Sequence, residues 1–183
     1  MAESGAVTVC RLVADDWQVY RAIRLAMLQE SPSAFGSTHA DAASFDERLW
    51  RQRLTDGAVL LARVGDVPAG SAMYSEYGTT DAADANLFGM WVDPAFRRKR
   101  VGRALLSSVV AFAREAGKRR LLLHVMADNA EAKVFYERAG FAFTGQRPSH
   151  PDDGSAELEM ELRIELEDTS AEPSADGALA APE

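Results

Sequence analysis

One stretch limits the fold of this chain more than any other. Leu87 to Val92 is an apolar run, and Asp93 to Gly102 is a short basic loop reading Asp-Pro-Ala-Phe-Arg-Arg-Lys-Arg-Val-Gly. An amphipathic segment follows from Val101 to Ala116, then a second apolar run from Arg120 to Met126. Val101, Leu105, Val109 and Phe112 recur at helical spacing, and Gly117 stops that helix. Continuous apolar runs of this length read as strands buried on both faces. A strand–helix–strand unit crosses over right-handed and leaves its strands parallel. Ligands in such sheets bind beyond the carboxyl ends of the strands, where the basic loop lies. The first N–H groups of a helix are unpaired and carry partial positive charge, so they form an anion site. Arg97, Arg98, Lys99, Arg100 and Arg103 strengthen it. A phosphate-bearing ligand at this junction is the starting expectation.

The rest of the chain builds around that unit. Val7 to Val13 reads as a strand. Asp15 or Asp16 caps a helix whose residues Trp17, Tyr20, Ile23, Leu25 and Leu28 recur at helical spacing up to Ser31-Pro32. Residues 31–43 read as a loop around Phe35-Gly36. Ser44 and Glu47 fit a capping box that opens a helix through about Leu54. Val59 to Val64, a turn at Gly65-Asp66, and Ala69 to Tyr77 form a hairpin. Gly78 to Ala85 is a loop and Asn86 to Val92 a strand. Asp128 or Asn129 caps a helix through Ala139, and Gly140 stops it. Phe141 to Gln146 and Glu157 to Glu165 read as last strands joined by Arg147 to Ser155. The element order predicts an α/β (α+β) fold with a mixed sheet and helices on both sides.

Composition removes several function classes. The 183 residues make one ordinary domain with a sizeable core. Net charge is −8, and the acids Glu167, Asp168, Glu172, Asp176 and Glu183 lie in a final segment without Lys or Arg. The expected organisation is a domain over residues 1–166 and a disordered, acidic Ala/Ser/Pro tail over 167–183. An acidic chain with one short basic loop is a poor nucleic-acid binder, which needs a basic face. The single cysteine, Cys10, excludes an internal disulfide, and His39, His124 and His150 are too scattered for metal spacing, so no metal is expected. No signal peptide or membrane-length apolar run is present, which makes the cytoplasm the default compartment and a membrane partner unexpected. The P-loop, dinucleotide and nucleophile-elbow motifs are absent.

Two blocks carry a family resemblance. Met90-Trp91-Val92-Asp93-Pro94-Ala95-Phe96-Arg97-Arg98-Lys99-Arg100-Val101-Gly102-Arg103-Ala104-Leu105-Leu106 matches a strand, a Q/R-x-x-G-x-G/A loop and a helix. Asn129 to Phe141 matches N-x-x-A-x-x-x-Y-x-x-x-G-F. In this order and spacing they resemble the GNAT superfamily of acetyl-CoA-dependent N-acetyltransferases, over about Val7 to Glu165. The resemblance implies a mostly antiparallel sheet of about seven strands, flanked by about four helices, with splayed central parallel strands. It implies acetyl-CoA as cosubstrate. The loop Arg97, Arg98, Lys99, Arg100, Val101, Gly102 and Arg103 would take the pyrophosphate, chiefly through the amides of residues 98–103. The amides of Trp91 and Val92, and Asn129, would hold the pantetheine arm. Tyr136 would bind there too and protonate the departing thiolate as general acid. Two departures stand out. Arg100 occupies the place of the loop's first glycine, and Asn86 the place of a carboxylate often used as base.

The remaining residues carry weaker expectations. Glu76, at a strand end beside Tyr77, is the candidate base or substrate anchor. His124, in an apolar strand, reads as a satisfied interior residue. His39 and His150 fall in substrate-side loops. Cys10 reads as a small core residue. Phe35 and Trp50 wall the acceptor pocket, and the acids Glu30, Asp41, Asp46, Glu47 and Glu76 suit a cationic acceptor. The expected activity is direct acetyl transfer to the primary amine of a small molecule within a ternary complex. A protein Nα-amine or lysine acceptor, or a non-catalytic acyl-CoA-binding module, are the alternatives. Dimerisation, common in the family, makes a homodimer an expected partner arrangement.

Overall fold

The computed structural model describes residues 5–149, 154 and 156–166. His150 and the acidic tail fall outside the described residues. In chain order the elements are β1 (Val7–Arg11), α1 (Trp17–Glu30), α2 (His39–Ser44), α3 (Glu47–Thr55), β2 (Ala58–Val64), β3 (Val67–Ser75), β4 (Asp84–Val92), α4 (Val101–Glu115), β5 (Arg120–Met126), α5 (Ala130–Arg138), β6 (Ala142–Phe143) and β7 (Glu157–Arg163). The seven strands form one sheet in the order β1-β2-β3-β4-β5-β7-β6. Only β4 and β5 run parallel. The mixed, mostly antiparallel sheet is the one expected.

Strand β2 shows why both faces are covered. Its successive side chains point to opposite sides. Ala58, Leu60 and Ala62 join the core beneath α4, while Val59 and Leu61 join a second core beneath α1 and α3. A strand buried on both faces must be apolar throughout, and Ala58 to Ala62 is. Helix α4 buries Val101, Leu105, Leu106, Val109 and Ala113 on the first core. Each buried Val or Leu contributes about 1.5–3 kcal/mol. Helix α3 buries Trp50 and Leu54 in the second.

Four local expectations are corrected. The segment 31–43 is not all loop, because Thr38 accepts the Asp41 N–H at 3.1 Å and starts α2. With it the described residues hold five helices, one more than the about four expected. The cap of α3 is Asp46, which accepts the Leu49 N–H at 2.8 Å, and not Ser44. The Ser44 hydroxyl instead donates to the Asp41 carbonyl and closes α2. The β6 strand holds two residues, and its pairing with β7 continues irregularly through the Thr144 N–H on the Glu159 carbonyl at 3.1 Å. Cys10 is not a core residue. It lies on the edge strand β1, where Val7 and Val9 pack inward and the intervening side chains face out.

The centre of the sheet is pinned at one end and open at the other. Asp84 pairs with Arg120 and Asn86 with Leu122, and there the β4–β5 pairing stops, although both strands run on for several residues. The pinned end is held by charge. Arg120 donates to both Asp84 carboxylate oxygens at 2.8 and 2.6 Å and to Glu161 at 3.1 Å. The Asp84 side chain is only 4% exposed, so the pair is shielded from solvent on that side. No helix of the described residues is long and apolar enough to cross a membrane.

Candidate active site

The open end of the β4–β5 gap is a cleft of about 430 Å³. Beyond Asn86 and Leu122 the facing backbone groups of the two strands have no sheet partner in each other. Buried backbone groups need partners, so an extended ligand can hydrogen-bond there as a strand would. Strand β4 is distorted inside the cleft. Met73 pairs with Phe88 and Ser71 with Trp91, so two residues, Gly89 and Met90, face one on β3. This is a β-bulge, which re-aims the backbone and leaves its extra residue unpaired. Gly89 takes φ +56°, a conformation that glycine adopts without penalty. The bulge was signalled by a lone glycine inside a strand, a cue the sequence reading did not use.

The cleft leads to the basic loop. Asp93 caps a short turn over Pro94–Phe96, and α4 starts at Val101 with Arg100 as its cap residue. Ala104 is the first amide to find an acceptor, the Arg100 carbonyl at 3.0 Å. Among the described residues, the amides of 98–103 have no protein acceptor. Arg98 and Arg100 both lie in the left-handed region, with φ +63° and +66°. Left-handed residues in such a turn gather amides into an anion-binding concavity. The arrangement fits a diphosphate. The side chains of Arg98, Lys99, Arg100 and Arg103 are on exposed residues around it. Arg97 is used differently. Its guanidinium donates to both Glu30 oxygens at 2.9 Å and to the Val92 carbonyl at 3.1 Å, which ties the loop to the end of α1.

A left-handed arginine costs about 1–2 kcal/mol, offset in part by the greater chain entropy of glycine. Arg100→Gly is therefore expected to stabilise the fold by up to about 1 kcal/mol while keeping CoA affinity, as read from urea midpoints and calorimetry. A clear loss of stability would contradict the left-handed assignment.

Trp91 and Val92 lie on β4 past the bulge, with Trp91 buried and its indole N–H on Glu30 at 3.0 Å. Asn129 caps α5 by accepting the Ala132 N–H at 3.0 Å and also lines the cleft, which leaves its amide hydrogens to donate. Tyr136 lines the cleft from the same helix and is buried, edge-on to Phe135 and Phe141 at 5.2 and 5.5 Å. Burial pushes its phenol well above the ordinary tyrosine value. The hydroxyl therefore stays protonated at any working pH. Gly102 stands where an added Cβ would meet the ring of Phe135 at 3.4 Å.

Glu76 does not line the cleft. Lys118 donates to it at 2.6 Å and the Tyr74 hydroxyl at 2.8 Å. These hydrogen bonds hold its carboxyl below the usual range, so it is a weak base. Glu30 is also held low. Burial works against its charge, but hydrogen bonds from Ser31, Trp91 and Arg97 outweigh it. Both carboxyls have folded values below their unfolded ones. Each therefore contributes stability above about pH 4.3 that is lost as pH falls through the folded value. Glu30→Gln is expected to flatten this acid limb, measured as a smaller fall in urea midpoint between about pH 6 and about pH 3 than in the parent chain.

His124 is the residue that the sequence reading misplaced most. It sits on β5 with its side chain 41% exposed, facing the cleft. Its ring nitrogens lie 3.7 Å from Glu157 and 3.4 Å from Glu159 on β7. Its neighbours Leu123 and Val125 point into the core, and strand alternation turns His124 the other way. His39 begins α2 and is exposed. Phe35 does wall the cleft, as expected, whereas Trp50 lies behind it in the second core. Arg24 and Arg53 line the cleft and were not anticipated.

Comparison with known proteins agrees with this geometry. A model of the acetyltransferase (GNAT) family matches residues 24–141. Over 58 residues the chain is 41% identical to the ribosomal protein bS18-alanine N-acetyltransferase of Escherichia coli, covering 32% of this chain and 39% of that protein. An aminoglycoside N(6')-acetyltransferase type 1 of Stenotrophomonas maltophilia is 31% identical over 139 residues, 64% of this chain and 91% of its own length. The chain spans about a third of the length of the curated relatives it first matches. A crystal structure of a putative acetyltransferase of the GNAT family from Desulfovibrio desulfuricans superposes with a TM-score of 0.67 at 25% identity, covering 87% of this chain and all of that one. Both motif blocks, the splayed strands, the bulge and the family match over most of the fold lead to one conclusion: the chain belongs to the acetyltransferase (GNAT) family.

Proposed function

We propose that this chain is an acetyl-CoA-dependent N-acetyltransferase acting on the primary amine of a small molecule, with the catalytic domain ending near residue 166. One observation carries the reading. The inner edges of β4 and β5 beyond Asn86 and Leu122 run into a loop whose amides from 98 to 103 lack protein acceptors among the described residues. A ligand with an extended amide-bearing arm and a diphosphate matches both features. When bound, acetyl-CoA supplies an activated acyl thioester.

In this reading the chain's own residues do the following. The loop amides and α4's positive end hold the diphosphate. The backbone of Trp91 and Val92, together with Asn129, orients the arm. The bulge at Gly89 and Met90 offers backbone dipoles to developing negative charge in the cleft. Tyr136, protonated because it is buried, gives a proton to the departing sulfur. His124 with Glu157 takes the place expected of Glu76 and accepts the proton that the amine must lose. The small-molecule volume of the cleft, about 430 Å³, favours a small acceptor over a folded protein surface.

The test has two parts. Calorimetry should detect CoA binding, and thiol release from acetyl-CoA should depend on added amine. Binding without amine-dependent release points to the non-catalytic module. Release with a peptide amine but no small amine points to a protein acceptor. Absence of CoA binding at millimolar concentration removes the reading altogether.

A further inference from the structure

The acceptor end of the cleft holds the wrong charge for the cationic substrate that the sequence suggested. None of the five acids offered for that role lines it. Glu30 is bound to Arg97, Asp41 to Thr38, Asp46 to the α3 amide of Leu49, Glu47 to Arg51 and Glu76 to Lys118. Two arginines stand there instead. Arg24 from α1 lies over the Phe35 ring at 5.4 Å, and Arg53 from α3 lies over Phe45 at 4.8 Å. Neither has a carboxylate within ion-pair distance among the described residues. The Nε of Arg53 is buried without a hydrogen-bond partner. Burial lowers the pKa of Arg24; Tyr20 works against this and the Arg53 charge adds to it.

Two like charges facing one cavity, with no protein anion between them, cost free energy unless a ligand supplies the anion. Aromatic stacking holds a guanidinium plane and leaves its N–H edges free to donate, which suits bidentate recognition of a carboxylate. Glu157 and His124 line the same cleft, and the Glu157 carboxylate suits an ammonium. The lining therefore offers charge of both signs.

We propose that the acceptor is a zwitterionic amine, an amino-acid-like molecule whose carboxylate is bound by Arg24 and Arg53. The proposal rests on the acetyl-transfer reading and specifies its substrate class. The spacing follows from the bulge. Arg24 Nη1 lies 3.5 Å from the point that a Cβ on Gly89 would occupy, so the anion-binding group sits directly beside the distorted strand where the amine must react. The carboxylate is accordingly only a few bonds from the nitrogen. The ammonium of such an acceptor loses its first proton to the His124–Glu157 side, and the nitrogen then attacks. The amide bond forms, the thioester C–S bond breaks, and Tyr136 gives its proton to sulfur. The second nitrogen proton returns through solvent to Tyr136, so that the net release is the thiol and one proton. Its product is a monoanionic N-acyl amino acid. The same pair of arginines repels polycationic acceptors such as aminoglycosides.

The decisive experiment uses a product-like probe in the full chain. Hippurate carries the carboxylate next to an acylated nitrogen, and hippuramide is its neutral match. Calorimetry in the presence of CoA should show hippurate binding at least 10-fold tighter than hippuramide. Arg24→Gln and Arg53→Gln should each remove that preference while leaving CoA affinity unchanged. In thiol release, phenylalanine should give a KM at least 10-fold below that of phenylalaninamide or phenethylamine. Equal binding of hippurate and hippuramide, binding of neither, or a preference retained in both variants overturns the proposal. So does preferential acetylation of an aminoglycoside. If the variants fail to fold, the hippurate–hippuramide pair on the unmodified chain decides alone. Failure of CoA itself to bind is a separate result and strikes the parent reading instead.

Discussion

Tyr136→Phe is expected to lower kcat by roughly 10²- to 10⁴-fold, the range of a positioned proton donor, with CoA affinity held within a few-fold. The substitution removes one oxygen. The ring keeps its edge contacts with Phe135 and Phe141, so α5 stays in place and the cleft keeps its shape. Because burial raises the phenol, the lost group is a protonated donor across the whole working pH range. The loss should therefore be nearly constant with pH and carry no basic limb below about pH 10. Thiol release gives kcat and calorimetry gives the CoA dissociation constant. A pure packing role for Tyr136 predicts the reverse pattern, with turnover preserved in the Phe variant. That outcome would remove the residue from the mechanism and leave protonation of the sulfur to solvent.

The largest loss of stability is expected from Trp50→Ala, at about 3–5 kcal/mol. Trp50 is fully buried in the second core, edge-on to Tyr20 at 5.6 Å and beside Phe45 at the same distance. Its removal deletes a large apolar surface and leaves a void that α1 and α3 cannot both close. A domain of this size is stable by only about 5–15 kcal/mol, so the variant should be close to unfolding at 37 °C. The change also has a functional reading. Arg53 lies one turn beyond Trp50 on α3, and loss of the anchor should let that guanidinium drift from the cleft. Trp50→Phe, which keeps most of the aromatic contact, should recover a large part of the stability. Denaturant midpoints measure both. An Ala variant as stable as the parent would show that α3 is held by other contacts.

The order of elements was legible because its signals are local. A 3.6-residue apolar period, a Pro-terminated strand and a glycine-terminated helix are each written within a few residues. The run Asp93 to Gly102 could be read as a loop before a helix with free amides because only backbone chemistry at a helix start was needed to read it. The loop between residues 31 and 43 was read less well. Ser44 and Asp46 both have side chains that can cap α3, and in the fold Asp46 takes the Leu49 N–H while the Ser44 hydroxyl closes α2. His124 failed for a related reason. An apolar strand looks the same whichever way its one polar residue turns, and β7 with its acids on the facing positions decides that His124 looks into the cleft.

Charge in the cleft was the hardest feature to see in advance. The chain is acidic overall, and five acids lie in the segments that surround the acceptor side. Asp41, Asp46 and Glu47 are consumed by caps and a pair within four residues, and Glu30 and Glu76 by ion pairs that form only when distant segments meet, with Arg97 and Lys118. The cleft-lining arginines left without a carboxylate among the described residues are Arg24 and Arg53, far apart in sequence and brought to one cavity by α1 and α3. Periodicity and turn chemistry, which act over a few residues, were enough to determine most of the strands and helices and to single out the basic loop. The sign of the charge lining the cleft was decided by tertiary structure, because pairing between distant segments depends on distance in space and leaves no trace in the spacing of residues along the chain.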